Sequence, residues 1–292
     1  MDKIRQGHEA WPRGPAGLPE TEDESVHGRR LIGFSFSVPI ALLGGLMGLG
    51  GAEYRLPVLR GPMRYLSKQA IPINLAISLV TLAVSLITRV NALSVTPLGA
   101  LLPVVLSMIA GALVTAFFGP SFVGQVSERR LEQAILAYLI VIGAALIVEG
   151  FAQTTGSGVI ASEGVLAALS GFLFGLVIGA ASGVFGVAGG EIIIPTLVFV
   201  YGVDIKIAGT ASIIVSLPAV AMGLARFAKQ GAFKQRESVS EAIGPMGVGS
   251  VFGAIAGGLL VGLVSAQVLK VVLGIVLIVS ALRIFGGSRT SS

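Results

Sequence analysis

The sequence predicts an all-α, polytopic membrane protein. It has two inverted-topology repeats, each a broken, re-entrant helical hairpin followed by three transmembrane helices. Three observations carry this prediction: long apolar runs, a sequence that repeats itself, and a lopsided distribution of Lys and Arg. Of 292 residues, 54% are apolar and 12% charged, and mean hydropathy is +0.90. A soluble domain carries about 25% charge. The apolar residues come in runs of about 20, long enough to cross hydrocarbon as a helix.

The elements follow in order. Residues 1–30 are polar, with Trp11 and an acidic run from Glu20 to Glu24. They lack the apolar core and small-residue cleavage site of a signal peptide and read as a cytoplasmic tail. Residues 31–150 form the first repeat, with apolar stretches at 31–62, 70–88, 98–120 and 131–149. A linker at 151–164, rich in Gly, Ser and Thr, is expected outside. The second repeat, 165–286, has stretches at 165–201, 207–226, 240–262 and 267–285, and 287–292 is a cytoplasmic C-terminal tail. The first stretch of each repeat is too long for one span. Gly and then Pro interrupt it, which predicts a helix that breaks inside the membrane and returns to the side it entered.

The self-similarity is specific. At an offset of 138, Gly48, Gly51, Glu53 and Pro57 fall on Gly186, Gly189, Glu191 and Pro195, and Ser78-Leu79 falls on Ser216-Leu217. Chance apolar similarity does not align Gly, Glu, Pro and Ser together. In the third span, Pro103, Ser107, Gly111 and Thr115 align with Pro245, Gly249, Gly253 and Gly257 at 142, after which Ser127 and Leu131 return to 138. The third spans read as small-xxx-small helix contacts.

One hairpin plus three crossings gives each half an odd number of net crossings, so the second half is inverted. Basic residues then sort by side. The inside holds those of the N-terminal tail with Arg60, Arg64, Lys68, Arg129, Arg130, Arg226, Lys229, Lys234, Arg236, Arg283 and Arg289. The outside holds only Arg89, Lys206 and Lys270. This positive-inside bias puts both termini in the cytoplasm.

Paired broken helices in inverted repeats point to a transporter with its site near the bilayer midplane. A break frees backbone N–H and C=O groups that hydrocarbon does not satisfy. A helix restarting after a Gly-rich turn aims free N–H groups and a positive dipole end at the gap, which suits a small anion. Candidate binding residues are Gly50, Gly51, Ala52, Arg55, Asn74 and Ser78 in the first half, and Gly189, Gly190, Ser212 and Ser216 in the second. Arg55 has no basic counterpart, since Ile193 stands at its position. It reads as the anion's counter-charge, as a partner of Glu53, or as a side chain reaching to the cytoplasmic surface. Asn74, Ser78, Thr81, Ser85 and Thr88 form a polar stripe at helical spacing. Ser212, Ser216, Ala219, Gly223 and Arg226 form its copy, and Arg226 reads as a surface anchor. Such stripes line a water path or bond neighbouring helices. Glu53 and Glu191 read either as proton carriers or as caps of the restarted helices.

The Gly48-to-Pro57 and Gly186-to-Pro195 motifs make the chain resemble the TauE/SafE family, the sulfite exporter-like permeases, over about residues 31–286. Ala52 and Ala188 depart from the all-glycine run often seen there. The resemblance implies export of a small sulfur-containing anion, sulfite or an organosulfonate, across the inner membrane.

Other classes are disfavoured. The chain has no cysteine, and its histidines, His8 and His27, lie in the tail. Disulfides, thiolate metal sites and cysteine nucleophiles are therefore excluded. No cofactor, metal or enzymatic activity is expected. No Walker A motif is present, so ATP does not drive the chain directly. The expected partners are the lipid bilayer and the anion, with no nucleic acid, and a homo-oligomer is left open. An anion channel on the same fold, or a carrier of another small anion, is the competing reading.

Overall fold

The computed structural model describes residues 22–94, 96–123, 128–152, 158–161, 164–185, 189–233 and 242–288. Most of the N-terminal tail, parts of the linker, residues 186–188 with Ala188, Lys234, Arg236 and the C-terminal end beyond 288 lie outside them. The described residues are helical, with no strand among them. The helices are α1 (Glu22–Met47), α2 (Ala52–Arg60), α3 (Ser67–Ala92), α4 (Leu98–Val123), α5 (Glu128–Ala152), α6 (Val165–Phe185) and α7 (Gly190–Pro195). Then follow α8 (Ile205–Lys229), α9 (Gly244–Leu263) and α10 (Ala266–Ser288). After Pro195, α7 widens into a π-helical turn, Thr196–Val200. Among the described residues five helices, α1, α3, α4, α8 and α9, are long and apolar enough to cross a membrane, and the protein is a multi-pass membrane protein.

Both hairpins double back. A Cβ on Gly51 would lie 2.8 Å from Ile40 Cγ2, and one on Gly33 would lie 3.3 Å from Met63 Cε. The chain therefore returns along α1 to the level of Gly33. In the second half Gly189 sits in the same way, 2.8 Å from Ile178 Cγ2, and Tyr201 Oη meets Ser170 Oγ at 2.8 Å. The hairpins are unequal in their arms. In the first, α1 has 26 residues and α2 only nine. At about 1.5 Å per residue the long arm is a full span and the return arm about half of one.

The packing also repeats between halves. α1 packs on α9 as α6 packs on α4, and α3 packs on α9 as α8 packs on α4. α3 meets α8, its own counterpart, through Leu75, Leu82, Ile213 and Val220. These residues pair at an offset of 138, so the centre of the bundle is the α3–α8 contact.

The third spans need a correction. Gly111 on α4 packs against the carbonyl of Phe172, and Gly249 on α9 packs against that of Phe34. Phe172 minus Phe34 is 138, and so is Gly249 minus Gly111. The offset of 142 expected from the small-residue pattern is thus one helical turn too long. A shift of four residues keeps the same helix face, so a repeating small-xxx-small pattern matches almost equally well at either register. The contact role expected for these spans holds, since α4 and α9 approach α6 and α1 through their glycines.

Gly111→Ala would drive a Cβ into the Phe172 carbonyl and force α4 from α6. It is expected to cost roughly 1–3 kcal/mol, the usual range for overpacking. Gly99→Ala, where a Cβ meets nothing within 4 Å, serves as the control on the same helix. Thermal unfolding of the purified protein in detergent reads the difference.

Candidate functional site

The first break is a run of left-handed residues. Gly48, Gly50 and Gly51 have φ of 88°, 80° and 73°. L-residues with a Cβ rarely adopt this region, and three such positions within four residues require glycine. Gly48 N–H and Leu49 N–H both donate to Gly44 O, at 2.8 and 3.0 Å, which ends α1. Gly51 is the residue from which α2 starts, and Gly189, with φ of 78°, starts α7 in the same way. The two breaks meet: a Cβ on Gly190 would lie 3.1 Å from Leu49 Cα and 3.0 Å from Ser212 Oγ.

Arg55 is fully buried at the first break. Its Nη1 donates to Ser78 Oγ at 3.0 Å and Asn74 Oδ1 at 3.4 Å. Its Nη2 donates to Gly50 O at 3.1 Å and Thr81 Oγ1 at 3.0 Å. Asn74 Nδ2 in turn donates to Ala52 O at 3.0 Å. The α3 stripe therefore clamps the turn through both its side chains and the guanidinium. Arg55 does not reach the surface. It lies within electrostatic reach of Glu53 but forms no ion pair with it, and its Nε has no partner. Both readings that paired or exposed Arg55 are therefore set aside. A guanidinium taken out of water with no carboxylate against it leaves a positive charge facing inward.

Glu53 is not a helix cap. Both its carboxylate oxygens are buried and meet no partner outside its own residue. Glu191 is buried at the start of α7, among the apolar residues Ile192 to Pro195.

The second half's stripe is built differently. Ser212 and Ser216 are buried on α8, and neither hydroxyl has a hydrogen-bond partner. Ile193, at the position of Arg55, is fully buried and apolar. In the first half Asn74, Ser78 and Thr81 accept from Arg55, while these two hydroxyls meet no partner. Arg226 is exposed at the far end of the stripe, as a surface anchor requires.

The sequence profile of the sulfite exporter TauE/SafE family matches residues 10–146 and 171–291, most of both halves. The chain belongs to the sulfite exporter TauE/SafE family. No curated protein and no solved structure matches it. The family is one of membrane transporters, which agrees with the non-enzymatic reading.

One residue of this TauE/SafE chain lies far from where its sequence put it. Arg89, expected on the outside, is fully buried in α3 and bonds to two other helices, α1 and α8. The missed signal is its register. Asn74, Ser78, Thr81 and Ser85 advance by four, three and four residues, and the next step of four is Arg89. The apolar stretch appears to end at 88 only because a charged residue follows. Thr88 is half-buried and bonds back to the carbonyls of Val84 and Ser85 on its own helix. Lys270, also expected outside, is largely buried and pairs with Glu149 at 2.6 Å across α5 and α10.

The Arg55 clamp predicts coupling. Ser78→Ala alone leaves a buried guanidinium N–H without its acceptor, which costs about 1–3 kcal/mol. Ser78→Ala in an Arg55→Met background is expected to cost much less. A double-mutant cycle on denaturation midpoints measures the difference.

Proposed function

We propose that this chain is a secondary transporter that exports a small sulfur-containing anion, sulfite or an organosulfonate. Transport is by alternating access between two inverted repeats, at a site near the bilayer midplane of a bacterial inner membrane. Both termini lie in the cytoplasm. One observation carries the reading: the buried Arg55 guanidinium, fixed at a helix break and in direct ion pair with no carboxylate.

The residues divide the work. Arg55 supplies the charge, and the turn at Gly50, Gly51 and Ala52 supplies the restarted end of α2. Asn74 and Ser78 hold Arg55 in place. From the other half, Ser212 and Ser216 supply free hydroxyl donors beside Gly189 and Gly190. A sulfonate or sulfite has three oxygens on one sulfur, so donors converging from two helices suit it better than a single contact. The meeting of the two breaks is what brings the Arg55 turn and the α8 hydroxyls toward one centre.

Glu53 and Glu191 carry the coupling. A second negative charge beside Arg55 repels the anion, so the anion and a proton on Glu53 arrive together. That links flux to the proton gradient without a nucleotide-binding domain. Inversion of the halves supplies the two access states, since the exchange of equivalent conformations between repeats opens the site to either side.

Sulfite and a panel of sulfonates in proteoliposomes, with and without an imposed pH gradient, test this reading. Saturable flux that responds to the gradient is the expected result. Arg55→Gln is expected to lower flux at least tenfold, about 1.4 kcal/mol in transition-state terms. Glu53→Gln is expected to keep flux and lose its response to the gradient. Conductance that does not saturate would instead make the protein a channel.

A further inference from the structure

A helix break exposes two opposite ends. The restarted α2 presents N–H groups and the equivalent of about half a positive charge, while the end of α1 presents carbonyls and about half a negative one. An anion drawn to the first end is repelled by the second. The break attracts anions only if the carbonyl end is neutralised.

Arg89 stands at that end. Its Nη1 donates to Gly45 O at 2.9 Å and Leu46 O at 2.8 Å, two of the last carbonyls of α1. Its Nη2 donates to Lys206 O at 2.6 Å, and its Nε to Thr210 Oγ1 at 3.0 Å, both on α8. Thr210 Oγ1 itself donates to Lys206 O at 3.0 Å. Among the described residues no carboxylate forms an ion pair with Arg89. Its charge is therefore spent on backbone carbonyls and remains as net positive charge inside the bundle. The fit is tight: a Cβ on Gly209 would lie 2.8 Å from Arg89 Nη2, and the Gly209 position also packs against Met47 O.

Among the described residues the second half has no such device. At the offset of 138 Arg89 corresponds to Phe227, as Arg55 corresponds to Ile193. Both buried guanidinium groups therefore serve the first break.

We propose that Arg89 is a positioning residue for the anion. It cancels the carbonyl end of α1 and fixes the turn through α8, so that the first break presents only positive potential to the ligand at Arg55. The inference rests on the reading of that break as the anion site, and predicts that charge at position 89, more than its hydrogen bonds, sets affinity.

The test is sulfite flux in proteoliposomes for the native protein and for Arg89→Gln, Arg89→Lys and Thr210→Val. In Arg89→Gln the half-saturating sulfite concentration is expected to rise about tenfold or more, with a smaller fall in maximal rate. Arg89→Lys, which keeps the charge and loses the fork, recovers most of that affinity. Thr210→Val, which removes a bond and no charge, stays within about threefold of native. An unchanged half-saturating concentration in Arg89→Gln overturns the proposal, as does a Lys variant no better than Gln. Where Arg89→Gln yields no folded protein, sulfite-induced thermal stabilisation of Arg89→Lys decides: retention supports the proposal and loss overturns it. Native protein with no saturable sulfite flux brings down the reading of the site itself. Native flux with an indifferent Arg89→Gln brings down this inference alone.

Discussion

Backbone polar groups released inside a bilayer have to be satisfied by protein, and the centre of this structure is arranged around that constraint. Interrupting α1 at Met47 strands the carbonyls of its last turn, and restarting the chain at Ala52 strands N–H groups. Two buried guanidinium groups, Arg89 of α3 and Arg55 of α2, meet the carbonyls of the break. Arg89 takes Gly45 O and Leu46 O, and Arg55, held by Ser78 and Thr81, takes Gly50 O. A single helix carrying one polar stripe thus supports the break from both sides. This also explains why α3 is central: moved to the periphery, Asn74, Ser78, Thr81, Ser85 and Arg89 would face lipid, where polar groups without partners are costly.

Arginine is suited to this task in a way lysine is not. A guanidinium offers five N–H donors in a planar fork, so one side chain bridges several carbonyls while remaining charged. Arg89 spans the end of α1 and the start of α8 in this manner. A buried ion pair would satisfy the same donors but cancel the charge. Here the acceptors are carbonyls, hydroxyls and an amide, so the hydrogen bonds are made and the positive charge is kept. Under the proposed function, that combination lets a structural clamp also select anions.

Much of this was legible in the sequence, for physical reasons. Gly48, Gly50 and Gly51 mark the turn because few other residues accept positive φ, and the stripe from Asn74 to Ser85 is visible because helical spacing is regular. The element order, four apolar stretches in each half with the first interrupted, follows from hydropathy and Gly–Pro punctuation. Arg89 was hidden because charge near the end of an apolar run reads as a loop, although its spacing from Ser85 continues the stripe. The partners of Arg55 were hidden because the hydroxyls that accept from it lie 23 and 26 residues away, on α3. The register of the third spans was ambiguous because a four-residue slip preserves a helix face. Local rules of turn and period leave visible traces, whereas choices between equivalent faces or distant partners are made only in packing.

The two halves share a packing plan but not an electrostatic one, and this bears on how exchange between them would work. Leu75 with Ile213 and Leu82 with Val220 make the central contact nearly self-matched, so rocking about it alters little apolar burial. Arg55 and Arg89, facing Ile193 and Phe227 across the repeat, are matched by nothing. Exchange of conformations between repeats gives two states of equal energy only when the repeats are equal. Here opening the first hairpin strains two guanidinium clamps, while opening the second separates apolar side chains and two free serine hydroxyls. The second hairpin is then the softer element, and the first the fixed wall that carries the charge. In the proposed transport cycle, an anion held at the fixed wall and released by movement of the other would keep its strongest contact through most of the movement. Only near the end of that movement would water need to replace Arg55, so the cost of dissociation falls late, at the step where the site meets the opposite side.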